Sequence, residues 1–332
     1  MNDQISKEKQ RSPVRKWILR ILLFLFFWLI IFFFMFGPGR VLFPYLLDSY
    51  DNVTDYTNTV YYSGDHIIEA MDVLYMASIA QDSIRKFWND TSDQEFWKGV
   101  NIFLCESPDQ YYHLTWNRAM GSALMGRIVL NPDRFGTSMS LYSALVHEMS
   151  HLYMSRRFSY LCYVLTLPKW FDEGCATVMQ DYSFAANHLD DYLKENPELV
   201  TVTSLKHPWN WQAMVRMEDG KMAAKGYGGV YQFTRYLISQ YGIDQIRKYG
   251  SKLHWNFSTE RTFEEVFQVP LAEVEKMWVT HQKEAGIIPP LTVLVPVSFD
   301  FLVFLRWVLI ILIVFTPIVI VIRWLFLKFS RK

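Results

Sequence analysis

Two histidines stand four residues apart in "SALVHEMSHLYM", Ser143 to Met154, with a glutamate directly after the first. On a helix, residues i and i+4 share a face, about 40° apart and one turn displaced. Imidazoles so placed at His147 and His151 can offer nitrogens to one metal ion at about 2.0–2.1 Å. Glu148 is turned about 100° from His147 and does not complete that pair. Its carboxylate can instead take a proton from water beside the ion, which makes it a candidate general base. This is the H-E-x-x-H arrangement. A chain with eight histidines produces it by chance about once in a hundred, so the surroundings must carry the argument.

The surroundings are informative in two ways. The preceding "LYSALV" is apolar enough to be buried, and burying two histidines and a glutamate without partners would cost several kcal/mol. A metal removes that penalty. Further on, "WFDEGCATVM" places Glu173 in the first turn of a second predicted helix, 22 positions after His151. A connection of that length lets the second helix pack back on the first. Glu173 then supplies an oxygen ligand and completes a His₂Glu set with a fourth position open. Asp172 reads as the N-cap of that helix. Cys175, two positions after Glu173, points elsewhere and reads as a buried thiol.

"HEMSH" together with "WFDEG-x-A" resembles the gluzincin zinc metallopeptidases, in particular the aminopeptidase-like or minigluzincin type. Trp170, Glu173, Gly174 and Ala176 match the W-x-x-E-G-x-A pattern. The resemblance covers about residues 95–285. It implies a thermolysin-like catalytic domain: a small mixed sheet with an edge strand, a zinc helix, a glutamate helix and a C-terminal helical subdomain. It implies one Zn²⁺ ion on His147, His151 and Glu173, with Glu148 as general base. It implies that Tyr227, opening "YGGVYQFTRYLISQYG", stabilises the oxyanion, with Tyr231 one turn on as the alternative donor. "AMGSALMGRIVLNP" is similar to the edge strand that holds extended peptide, which makes Gly126, Arg127, Ile128 and Val129 the substrate-binding candidates. Peptide or protein would be the substrate. The chain departs from the pattern at two places. No G-x-M-E-N-like stretch precedes His147, and Thr177 stands four residues after Glu173 where an aspartate would back a ligand.

The elements that must position these residues follow from periodicity. Helices are predicted over 64–88, over 138–156 with the paired histidines, within 167–182 and over 227–242, followed by three shorter ones. Strands are predicted at 99–107 and 124–132, the latter closed by Asn131-Pro132. Residues 185–222 are polar and aromatic with two prolines and read as irregular. Strands first and helices after make an α+β domain. His113, His188, His207, His254 and His281 are isolated in sequence, and the three cysteines, Cys105, Cys162 and Cys175, form neither a C-x-x-C nor a disulfide framework.

The ends differ from the middle. Formal net charge is zero, which gives no electrostatic reason to expect nucleic acid, but hydrophobic content is 51% and concentrated at the termini. Runs 17–36 and 303–322 are apolar and long enough for a ~30 Å hydrocarbon layer. Basic residues before the first and after the second orient both termini to the cytoplasm. The expected order is a basic tail over 1–16, a transmembrane helix over 17–36 and an extracytoplasmic domain over 40–295. A second transmembrane helix over 303–322 and a basic tail over 323–332 complete it. On this reading the chain is a two-pass membrane protein, with the lipid bilayer as a partner and a zinc-dependent peptidase domain outside the cytoplasm. Two other functions fit the same residues: an inactive gluzincin-like module that binds or assembles at the membrane, and an intramembrane protease. The second fits poorly, because "LYSALVHEMSHLYMSRR" ends in two arginines and is too short to span.

Overall fold

A computed structural model describes residues 50–92, 94–115, 119–124, 126–131, 141–159, 162–163, 166–180, 221–253 and 258–284, with a few positions between 23 and 31. Five short strands, with two helices set between them, precede the helical half: β1 (Tyr50–Thr54), β2 (Asn58–Ser63), β3 (Val100–Leu104), β4 (Gly121–Leu124) and β5 (Arg127–Leu130). They form one mixed sheet in the order β1-β2-β3-β5-β4. β2, β3 and β5 run parallel, and the outer strands β1 and β4 run antiparallel to their neighbours.

Alternation along the strands sorts their side chains onto two faces. Ile102, Ile128 and Leu130 join the main core, while Phe103 and Val129 face a smaller cluster with Cys105, Tyr111 and Leu114. Helix α1 (Ile67–Trp88) covers the main-core face, and α2 (Pro108–Thr115) supplies Tyr111 and Leu114 to the other. Helix α3 (Leu141–Arg157) lies along α1 and beneath β4. Helices α4 (Lys169–Met179), α5 (Lys221–Tyr241), α6 (Ile243–Lys252), α7 (Thr259–Phe267) and α8 (Leu271–Glu284) follow. Their core is aromatic: Trp170 stacks on Tyr249 at 6.0 Å and meets Phe233 and Phe263 edge-on. Sequence periodicity did not reveal β1, β2 or α2.

Two expectations from the sequence do not hold in the structure. The first is the pair of flanking transmembrane helices and the two-pass localisation built on them. Among the described residues no helix is long and apolar enough to cross a membrane. The long ones each carry charge, as in Glu69, Arg85 and Lys86 on α1 or Arg156 and Arg157 on α3. Among the described residues the fold is mixed α/β, a five-stranded sheet with two helices between its strands and the other helices after it. Positions 303–322 and most of 17–36 lie outside the described residues, as do both terminal tails.

The second correction concerns the edge strand. Residues 124 and 127–130 do not share one strand: Leu124 ends β4, Arg127–Leu130 form β5 antiparallel to it, and Gly126 between them has φ +77°. The sequence between the two strands lacks the Asn-Gly or Asp-Gly signature that marks such hairpins. Arg127, Ile128 and Val129 lie on β5, which is paired with β3 on one side and β4 on the other. Its backbone has no free edge, so the sheet's edge on this side is β4.

Candidate metal centre

Almost all of α3 from Ala144 to Ser155 is buried, which explains why its polar residues need partners. His147, Glu148 and His151 are 9%, 8% and 7% exposed. α4 starts after Pro168, whose extended backbone ends the preceding segment. α4 packs against α3 on one side and α5 on the other. Gly174 makes the second approach possible, because a Cβ there would collide with Thr234 Oγ1 and lie 3.1 Å from the Val230 carbonyl oxygen.

This packing brings Glu173 to the histidine pair. Its Oε2 lies 3.3 Å from Nε2 of His147 and 3.3 Å from Nε2 of His151, and the two Nε2 atoms are 3.1 Å apart. These three residues form a group of possible metal ligands among the described residues. The outer nitrogens are committed. Nδ1 of His147 donates to Gln180 Oε1 at 3.1 Å, and Nδ1 of His151 donates to Asp172 Oδ1 at 2.8 Å. Neither acceptor has a proton to give, so both rings carry theirs on Nδ1. Glu173 Oε2 receives no well-formed hydrogen bond although it is buried.

Electron-rich atoms thus meet where only a cation reconciles them. In the ion-free chain a proton serves. Burial alone would depress His151, but the Asp172 and Glu173 carboxylates outweigh it and hold the imidazole well above its usual range. Burial would likewise raise Glu173, yet His151 and His147 pull it well below the ordinary carboxylate value. A divalent ion fits the same place. A tetrahedron with bonds of about 2.0–2.1 Å has edges of about 3.3–3.4 Å, close to the observed separations of 3.1–3.3 Å.

Around this set stand the groups that could do further chemistry. Glu148 packs against β4: a Cβ on Gly121 would lie 2.7 Å from its Cγ, and its carboxylate accepts the Ala123 N–H. Burial pushes its carboxyl up, partly offset by His147 and His151. The Tyr227 ring sits edge-on to His147 with centroids 5.8 Å apart. Tyr231 is buried one turn further on, its hydroxyl accepting from Arg235 Nη1 at 3.2 Å.

Asp172 is not the expected N-cap. Pro168 occupies that position, and Asp172, four residues into α4, is aimed at His151. Its other oxygen accepts from Tyr163 Oη at 2.8 Å and Lys169 Nζ at 2.6 Å. Gln180 was not singled out in the sequence at all, because nothing local distinguishes a glutamine 33 positions from its partner. Of the isolated histidines, His113 lies on α2 and His281 on α8 beside Tyr236, while His188, His207 and His254 fall outside the described residues. No family model matches the sequence, and no curated protein does.

Proposed function

We propose that the chain is a zinc-dependent peptidase of the kind its motifs resemble, hydrolysing peptide bonds with Glu148 as general base. The observation that carries this reading is the convergence of His147 Nε2, His151 Nε2 and Glu173 Oε2 at tetrahedral spacing, with both imidazoles committed to Nδ1–H. These three residues would hold the ion, and two neutral imidazoles with one carboxylate suit zinc. When bound, zinc supplies Lewis acidity to the substrate carbonyl and the attacking water.

The rest is the work of the chain's own residues. Glu148, held against β4 with its affinity for a proton raised by burial, takes a proton from water and delivers it to the departing amine. Tyr227 stands beside His147 and would donate to the oxygen that gains charge. β4 would align the substrate as an added strand. Leu124 and Arg127 flank the turn, so narrow pairing falls at Leu124 and Ser122. The main-chain groups of Gly121 and the Ala123 carbonyl then turn to the outer edge, while the Ala123 N–H on that side is held by Glu148. The substrate-binding role expected of Gly126 to Val129 passes to these residues.

The test is metal analysis of the full chain paired with peptide hydrolysis by wild type and Glu148→Gln. About one zinc per chain is expected in both proteins, with hydrolysis of a fluorogenic peptide library reduced roughly 10²- to 10⁴-fold in the variant. Absence of stoichiometric zinc sinks the metal reading. Zinc without wild-type hydrolysis, or equal hydrolysis by both proteins, sinks the enzymatic one.

A further inference from the structure

Gln180 ends α4, and its backbone N–H bonds to the Ala176 carbonyl at 3.0 Å. Its own carbonyl accepts from Ser143 Oγ at 3.4 Å, and its side-chain oxygen accepts from His147 Nδ1. Ser143 and His147 are one turn apart on α3, so the main chain and side chain of Gln180 grip the same strip of that helix. The residue is 5% exposed, and a buried amide is costly to place unless its bonds are made. Thr177, one turn earlier on α4, spends its hydroxyl on the carbonyls of Glu173 and Gly174 and is not directed at a histidine.

We infer that Gln180 is a positioning residue for His147: its amide oxygen fixes the Nδ1–H tautomer and aims Nε2 at Glu173 Oε2 and His151 Nε2. This rests on the metal-site reading above and adds an asymmetry to it. His151 is backed by a carboxylate, which Tyr163 and Lys169 hold in place. His147 is backed by a neutral amide. A carboxylate partner raises the basicity of a ligating imidazole more than an amide does, so the two histidines are unequal ligands.

The experiment uses the full chain labelled with ¹⁵N-histidine, as wild type, Gln180→Met and Gln180→Glu. Zinc affinity is read by competition with a chromophoric chelator, and the histidine tautomers by ¹⁵N spectra of the ion-free proteins. Methionine keeps the length and removes the acceptor; glutamate keeps the acceptor. Gln180→Met is expected to bind zinc about 10- to 100-fold more weakly and to show mixed tautomers at His147 with His151 unchanged. Gln180→Glu is expected to keep the His147 tautomer and recover the affinity. Wild-type affinity and an unaltered tautomer in Gln180→Met overturn the inference. So does equal weakening in both variants, which would mark a packing role. Failure of wild type to take up zinc overturns the metal reading, and the tautomer spectra then still decide what Gln180 does to His147.

Discussion

At the scale of single residues, the meeting of His147, His151 and Glu173 was legible because its spacing is local. His147 and His151 are one turn apart, and Glu173 follows in the first helix to return. What orients the ligands was not legible, because those bonds join residues far apart in sequence or, for Asp172, because a helix-start rule offered a nearer use for the same carboxylate. Gly121 shows how much depends on such unseen contacts. Its missing Cβ lets the Glu148 side chain lie against the strand, with 2.7 Å to Cγ and 3.0 Å to Oε1 for any added carbon. Gly121→Ala must therefore displace the carboxylate. Misplacing a catalytic group by about 1 Å can cost up to ~10²-fold in rate. We expect peptide hydrolysis to fall by about that factor while zinc affinity stays at the wild-type level, since no ligand or orienting partner is touched. Steady-state assay with chelator competition checks both halves; a loss of zinc affinity equal to the loss of rate would refute the assignment.

At the scale of elements, helices with strong periodicity were read close to where they stand, as α1 at Ile67–Trp88 and α3 at Leu141–Arg157 show. The hairpin was misread because the sequence around Gly126 joins two runs of apolar and small residues, with no polar break to divide them. The α4–α5 contact depends on one glycine. A Cβ at position 174 has no space between Thr234 and the Val230 carbonyl, and Thr234 itself is fully buried and unable to swing out. Gly174→Ala is expected to push the two helices apart at a cost of about 1–3 kcal/mol, visible in denaturant unfolding. Because Tyr227 rides on α5 and Glu173 on α4, the same variant should lose rate beyond what Thr234→Ala loses alone. Adding Thr234→Ala to Gly174→Ala should restore part of both stability and rate. A double variant no better than the single one would show that the strain lies elsewhere.

At the scale of the whole molecule, the two-span reading rested on the length and apolarity of terminal runs, conditions that no described helix meets. The described part is organised around a different seam. His147 and His151 sit on α3, which packs on α1 and the sheet edge, and Glu173 sits on α4, which leads into the helical half. If the proposed ion binds there it would tie the two halves at a buried point, so its removal should be felt as stability. Zinc held at about a thousand times its Kd stabilises the native state by about 4 kcal/mol. At about 2–4 °C per kcal/mol for a domain of this size, chelation should lower Tm by roughly 8–16 °C. The loss should be uneven. Hydrogen exchange ought to quicken in α3 and α4, which the ion joins, and leave β3 and β5 protected, since both are paired on each side. Glu173→Gln should melt at the chelated temperature whether or not zinc is present. A melting temperature indifferent to chelator in the wild type would mean that packing alone holds α3 to α4, and that the ligands meet without clamping the halves together.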